Sequence, residues 1–452
     1  MIFGRKSERF APVDDRQLSF EGFLDPDASQ ESSPATQKIS YTRRKPSSGS
    51  APIRVALPAH LSRVETIIEP DNVPEGSRKM GDEITEVLEY TPGKIYVKRT
   101  VRPKFSLPGG EGVIIAALPS QPIPQGNAGP GLLAHLLISK FVDHIPFYRQ
   151  CQQFKRQEVI IAESTISGWF SATCNLIRPL NGILKNEQLQ ANYLQADETP
   201  IPVLESNHAK SAHRGYYWVY HDPVRRLVCF DYHPSRSREG PRKFLEKFSG
   251  KIQTDGYEVY NNLILGKYLA MLACMAHARR KFKHATGEDP ARAEAALKMF
   301  GCLYAIEEKA RESGMSHAER QRLRNLESGP IPETLHAWLK CNLGEVTPKS
   351  LTGKAITYTL NLWPRLVYYL QDGRYEIDNN LIENTIRPVA LGRKNYLFAG
   401  SNQAAQNAAM MYSFLGTCKL NDIEPYEWLK STLEKIPDHP VNRLQELLPL
   451  PS

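Results

Sequence analysis

The 452 residues carry 57 Lys and Arg against 49 Asp and Glu, a net charge of +8, with 41% hydrophobic and 23% charged residues. These are ordinary proportions for a water-soluble globular chain, and the length suggests two or three domains. No run reaches the ~20 apolar residues of a membrane span, the start MIFGRKSERF lacks an apolar signal core, and the seven cysteines stand singly with no C-x-x-C pair. Secreted, membrane and thiolate-zinc classes are therefore disfavoured, and a reduced cytoplasmic location is expected.

In chain order, residues 1–52 form a short charged piece followed by a linker rich in Ser, Pro and charge, too poor in apolar residues to fold alone. Residues 53–105 hold β-rich runs at 63–68 and 94–101, which predict a small β-module. A Pro/Gly-rich connector spans 106–131. Over 132–190 the apolar positions Leu132, Leu133, Leu136, Leu137 and Phe141 recur at helical spacing. With Ser164 as an N-cap before a short helix carrying Ile166, Trp169 and Phe170, this region fits a helix-turn-helix-like DNA-binding unit, though an ordinary helical hairpin fits the same residues.

Strand signals return over 194–199, 216–220 and 227–232, then a helix over 241–248 leads to a fourth strand ending at Asp255-Gly256. Three antiparallel strands, a crossover helix and a further strand carrying an acid are the pattern of an RNase H-like core. The expected fold is thus α+β (or α/β): a mixed-sheet core over 191–403 with a helical insertion at about 285–350, then a helical tail over 404–452. Between Glu205 and His284 the chain holds 15 basic and 7 acidic residues, an excess equal to that of the whole protein. Such a concentration suits a polyanion partner, and equally a solvated basic face.

Three acids have the placement that divalent-metal phosphoryl transfer asks for, since two ions sharing several carboxylates polarise the attacking oxygen and stabilise the leaving one. Asp197 lies within the first core strand, Asp255 ends the fourth, and Glu383 sits on an expected short helix with Asp378 as N-cap and Pro388 closing it. Asn379, Glu383 and Arg387 are four apart and share a face, and Arg393 and Lys394 follow beside aromatics. Taken alone each is as readily a solvated charge, a turn or an i,i+4 surface pair. Arg279, Arg280 and Lys281 form a basic helix with His277, which carries no assigned role.

The motifs DETPIPV at 197–203, QTDGY at 253–257, MAHARRKF at 275–282 and IENTIRPVALGRKNYLFAGS at 382–401 together resemble the insertion sequence 66 family of bacterial transposases. The resemblance runs from FGRKSE at 3–8 to YSFLGTCKLN at 412–421. It implies a DDE transposase in which Asp197, Asp255 and Glu383 are catalytic and bind two Mg²⁺ or Mn²⁺ ions. Double-stranded DNA, a homo-oligomer on that DNA and accessory proteins of the same element are the implied partners. Arg279, Arg280, Lys281, Arg387, Arg393 and Lys394 are the expected DNA contacts. Two departures stand out. The leucine-rich helical stretch that commonly precedes FGRKSE is nearly absent, and the places where the family often carries zinc-binding cysteine pairs, 73–80 and 102–108, hold none, so no structural zinc is expected. A transposition-defective regulator derived from such an enzyme, and a nuclease of RNA–DNA hybrids, are the alternatives.

Overall fold

The computed structural model describes residues 93, 95–98, 104–106, 113–115, 119–124, 126–204, 212–261 and 270–451. The chain divides into two compact units, Met1–Leu118 and Pro119–Ser452. In the first, the described elements are two antiparallel strands, β1 (Lys104–Ser106) and β2 (Val113–Ile115). The linker over 1–52 and most of the β-module over 53–105 lie outside the described residues.

The second unit opens with three helices: α1 (Pro130–Phe141), α2 (Phe147–Lys155) and α3 (Glu163–Leu189). Here the structure corrects the sequence reading. Ala162, not Ser164, holds the N-cap, and α3 runs 27 residues with Pro179 inside it. Its stripe of Ile166, Phe170, Cys174, Ile177, Leu180 and Leu184 is buried throughout its length. Burial of a continuous apolar face outweighs the local proline cost.

The sheet follows: β3 (Tyr193–Leu204), β4 (Ala212–Asp222), β5 (Leu227–His233), then α4 (Glu239–Phe244), β6 (Lys251–Thr254), α5 (Glu258–Asn261) and β7 (Met271–Ala273). Strand order is β5-β4-β3-β6-β7, antiparallel among the first three and parallel onward. This is the mixed α+β sheet expected, with one more strand. Met271–Ala273 form the short β7, whose three residues are all buried. A three-residue strand is too short for alternation to declare itself.

Helices α6 (Met275–Ala285), α7 (Pro290–Glu312), α8 (His317–Leu323), α9 (Pro330–Leu343), α10 (Leu351–Asn361) and α11 (Trp363–Leu366) follow. Their starts are locally encoded: Asp289 accepts from Arg292 N, Ser316 and Glu319 form a reciprocal capping box, and Ser350 accepts from Gly353 N. Phe282, Phe300, Leu335, Leu339 and Ile356 pack with Tyr193 and Leu272 of the sheet into one buried cluster. The insertion is therefore continuous with the core.

Next comes α12 (Asn380–Tyr396), carrying Glu383. Asn379, not Asp378, is its N-cap, and Pro388 lies inside it. Buried Ile382, Ile386, Val389 and Ala390 straddle that proline, so tertiary burial carries the helix through. Beyond it Ala399 pairs with Val203 of β3. The tail forms α13 (Asn402–Leu420) and α14 (Pro425–Lys435). Far from being peripheral, α13 buries Met410, Met411, Tyr412, Phe414 and Cys418, and its Ser413 hydroxyl accepts from Phe230 N of β5 at 2.8 Å.

Candidate active site

Strand register brings the first two acids together. In the parallel pair β3–β6, Gln195 stands opposite Gln253, and their side chains join, Gln195 Nε2 donating to Gln253 Oε1 at 3.0 Å. Asp197 and Asp255 each lie two residues further along, just beyond the last rung of that pair. There the chain leaves the sheet: Gly256 adopts φ +96°, Asp255 Oδ1 accepts from Tyr257 N at 2.8 Å, and the Tyr358 hydroxyl donates to Asp255 O at 2.9 Å. A Cβ at Gly256 would meet Leu362 at 3.1 Å and Tyr358 Oη at 3.3 Å, so glycine serves both the conformation and the close approach.

The same glutamines position α12. Gln195 Nε2 donates to Asp378 O at 2.8 Å, and Gln253 Nε2 to Glu376 O at 2.8 Å. The Tyr193 hydroxyl donates to Gln253 Oε1 and accepts from Glu376 N at 3.2 Å. A buried amide ladder thus ties all three acid-bearing elements, and satisfied networks of this kind specify one arrangement. His221 Nδ1 lies 3.3 Å from Gln195 Oε1, and burial lowers its pKa to about 4, a neutral core histidine.

Asp197, Asp255 and Glu383 are each half-buried. Burial, then the charges of Glu198, Asp255 and Glu383, push the Asp197 carboxyl well above the usual range. Glu383 is also raised, by burial and the charges of Asp378 and Asp255, with Arg280 and Arg387 opposing. The three acids are therefore within electrostatic reach of one another. Among the described residues, no three His, Cys, Asp or Glu side chains converge closely enough to hold a metal ion as they stand.

One acid escaped the sequence reading. The Glu198 side chain is only 4% exposed and pairs with Arg236 at 2.5 Å. Arg236 in turn lies 4.1 Å from the centre of the Tyr257 ring. Burial and the charge of Asp255 push the Glu198 carboxyl up to about 7, against the pull of Arg236. The Asp-Glu doublet was visible, but its burial depends on Trp218 opposite it on β4 and on Tyr260.

The basic residues divide by setting. Lys281, Arg387 and Lys394 are exposed, whereas Arg279, Arg280 and Arg393 are half-buried. Arg279 lies over the Tyr304 ring at 5.9 Å, and Arg280 Nη2 is 4.0 Å from Glu383 Oε1. Arg393 donates to Pro200 O, clasping the end of α12 onto β3. Other basic residues of the segment 205–284 are also engaged, Arg225 with Glu187, Arg226 with Asp422 and Arg242 with Glu239.

Family comparison agrees with this architecture. Residues 125–407 match the model of the Transposase IS66 family, 413–450 match the IS66 C-terminal element, and 1–66 match a model described as Transposase C of IS166 homeodomain. The chain belongs to the IS66 family of transposases. Uncharacterized proteins y4hP and y4qI of Sinorhizobium fredii are each 32% identical to it, over 99% of this chain and 85% and 86% of their own lengths. Uncharacterized protein YuaK of Escherichia coli is 41% identical over 49 residues, 11% of this chain and 52% of that protein. Among the described residues, no helix of this IS66 transposase is long and apolar enough to cross a membrane.

Proposed function

We propose that this IS66 transposase cuts and joins DNA by a DDE mechanism, with Asp197, Asp255 and Glu383 as its catalytic carboxylates. The observation that supports the reading is the Gln195–Gln253 rung, two residues before Asp197 and Asp255 on adjacent strands and hydrogen-bonded to Asp378 O just ahead of the Glu383 helix. The donor chemistry suits Mg²⁺ or Mn²⁺: hard carboxylate oxygens and an excess of negative charge, with phosphate oxygens and water to complete the coordination. Two such ions, held by the three carboxylates, would supply activation of the attacking oxygen and stabilisation of the leaving one.

The chain's own residues do the rest. The glutamine ladder holds the carboxylates in register. Exposed Lys281, Arg387 and Lys394, together with half-buried Arg279, Arg280 and Arg393, are the basic groups that would meet the DNA backbone. Water would attack at an element end, leaving a 3′ hydroxyl that then attacks a target phosphodiester, with no covalent protein intermediate. Assembly as a homo-oligomer on DNA, accessory proteins of the same element and a cytoplasmic location complete the proposal.

The test is a labelled duplex carrying the element's end, incubated with purified protein and Mg²⁺. Strand cleavage by the wild type and its loss in Asp255→Asn, with duplex binding retained, are expected. Binding without cleavage by the wild type would favour a transposition-defective regulator, and cleavage confined to RNA–DNA hybrids would favour a hybrid nuclease.

A further inference from the structure

Arg280 stands apart from the other buried arginines. Its Nη2 is 4.0 Å from Glu383 Oε1, with the two side chains only 12% and 17% exposed. That nitrogen is buried and makes no hydrogen bond. Settled arginine–carboxylate pairs here are closer, Arg320 to Glu307 at 2.6 Å and Arg236 to Glu198 at 2.5 Å, in line with the usual charge-assisted contact. A buried guanidinium N–H without an acceptor is costly, and such a group persists where a ligand supplies the acceptor. Arg280 is also the foremost charge opposing the rise of the Glu383 carboxyl. Its neighbours on α6 are placed differently, Arg279 over Tyr304 and Lys281 over Tyr358 at 4.6 Å.

We infer that Arg280 is the counter-ion of Glu383 while no divalent cation is bound, and that a cation arriving at Glu383 releases its guanidinium to a phosphate oxygen of the DNA. The inference rests on the metal-dependent reading proposed above. A cation and Arg280 compete for one carboxylate, so each weakens the other's hold, and a phosphate that engages Arg280 strengthens the hold of the cation. Arg280 thereby couples cation loading to the presence of DNA.

Mn²⁺ titration of the full chain, followed by the electron paramagnetic resonance signal of free Mn²⁺, tests this without relying on turnover. Arg280→Gln is expected to bind Mn²⁺ about tenfold more tightly than the wild type in the absence of DNA. Arg280→Lys, which keeps the charge, should return the affinity to near the wild-type value. A short DNA duplex should tighten Mn²⁺ binding in the wild type and leave Arg280→Gln unchanged. Should Arg280→Gln fail to fold, Arg280→Met carries the same test. Unchanged or weaker Mn²⁺ binding in the charge-removing variant overturns the counter-ion role, provided that Glu383→Gln weakens Mn²⁺ binding. If Glu383→Gln leaves Mn²⁺ binding unaltered, the metal reading itself fails, and the inference falls with it.

Discussion

Glu307→Gln is expected to cost about 3–5 kcal/mol of stability, the range for removing one partner of a buried ion pair. Glu307 is 1% exposed, and both of its partners are buried, Arg324 at 0% and Arg320 at 9%. Its Oε2 accepts from Arg320 Nε at 2.8 Å and Nη2 at 2.6 Å, and from Arg324 Nη2 at 2.9 Å, while Oε1 accepts from Arg324 Nε at 2.7 Å. Burial alone would raise this carboxyl, but the arginine hydrogen bonds and charges outweigh it and hold the pKa low. The substitution strands two buried guanidinium groups. Those groups also hold the approach to the Glu383 helix: Arg324 donates to the carbonyls of Tyr369, Asp372 and Tyr375, and Arg320 pairs with Glu376 at 2.7 Å. Catalysis should therefore fall together with stability. Urea denaturation checks the first effect, and a loss below about 1 kcal/mol would mean that the cluster is solvated or relaxes freely.

Asp197→Asn should move activity and stability in opposite directions. Loss of a central carboxylate is expected to lower strand cleavage by about 10³-fold, equivalent to roughly 4 kcal/mol of barrier. Yet the variant should be more stable by about 1–2 kcal/mol at neutral pH without divalent cations, as happens when a strained functional site is relieved. Its Asn Oδ1 can still accept from Glu198 N, the 2.8 Å contact of the wild-type carboxylate. The sign follows from the raised carboxyls: between the unfolded pKa of about 4 and the higher folded one, the folded protein holds protons that the unfolded chain has lost. Wild-type stability should therefore fall as pH rises from about 4 through the Glu198 value of about 7, and Asp197→Asn should flatten that slope. Added Mn²⁺ should raise the melting temperature of the wild type much more than that of the variant. Thermal melts across pH, with and without Mn²⁺, read all of these effects. A variant less stable than the wild type under every condition would contradict the electrostatic account.

Most of the sheet was legible because its signals are local. Aromatic and β-branched runs announce β4 and β5, and Asp255-Gly256 announces the chain leaving β6, where Gly256 indeed takes φ +96°. The errors fell where distant packing overrides local preference. Pro388 reads as a stop, but Ile386 and Val389 are buried on either side of it, and Pro179 is passed over within α3 in the same way. The sequence shows Arg279, Arg280 and Lys281 as one basic run. On the folded helix they face different neighbours: Tyr304, Glu383 and Tyr358. No local pattern marks Gln195 and Gln253 as a pair, because their meeting depends on parallel register between strands more than 50 residues apart.

The most direct measurement is joining of a pre-cut end with a free 3′ hydroxyl to supercoiled plasmid, comparing wild type with Glu383→Gln. The account predicts joined product for the wild type only with Mg²⁺ or Mn²⁺, its disappearance with chelator, and none above background for Glu383→Gln, while both proteins retain end binding. Joining by Glu383→Gln at the wild-type rate, or wild-type joining that persists in chelator, would contradict a shared metal-dependent role for Asp197, Asp255 and Glu383.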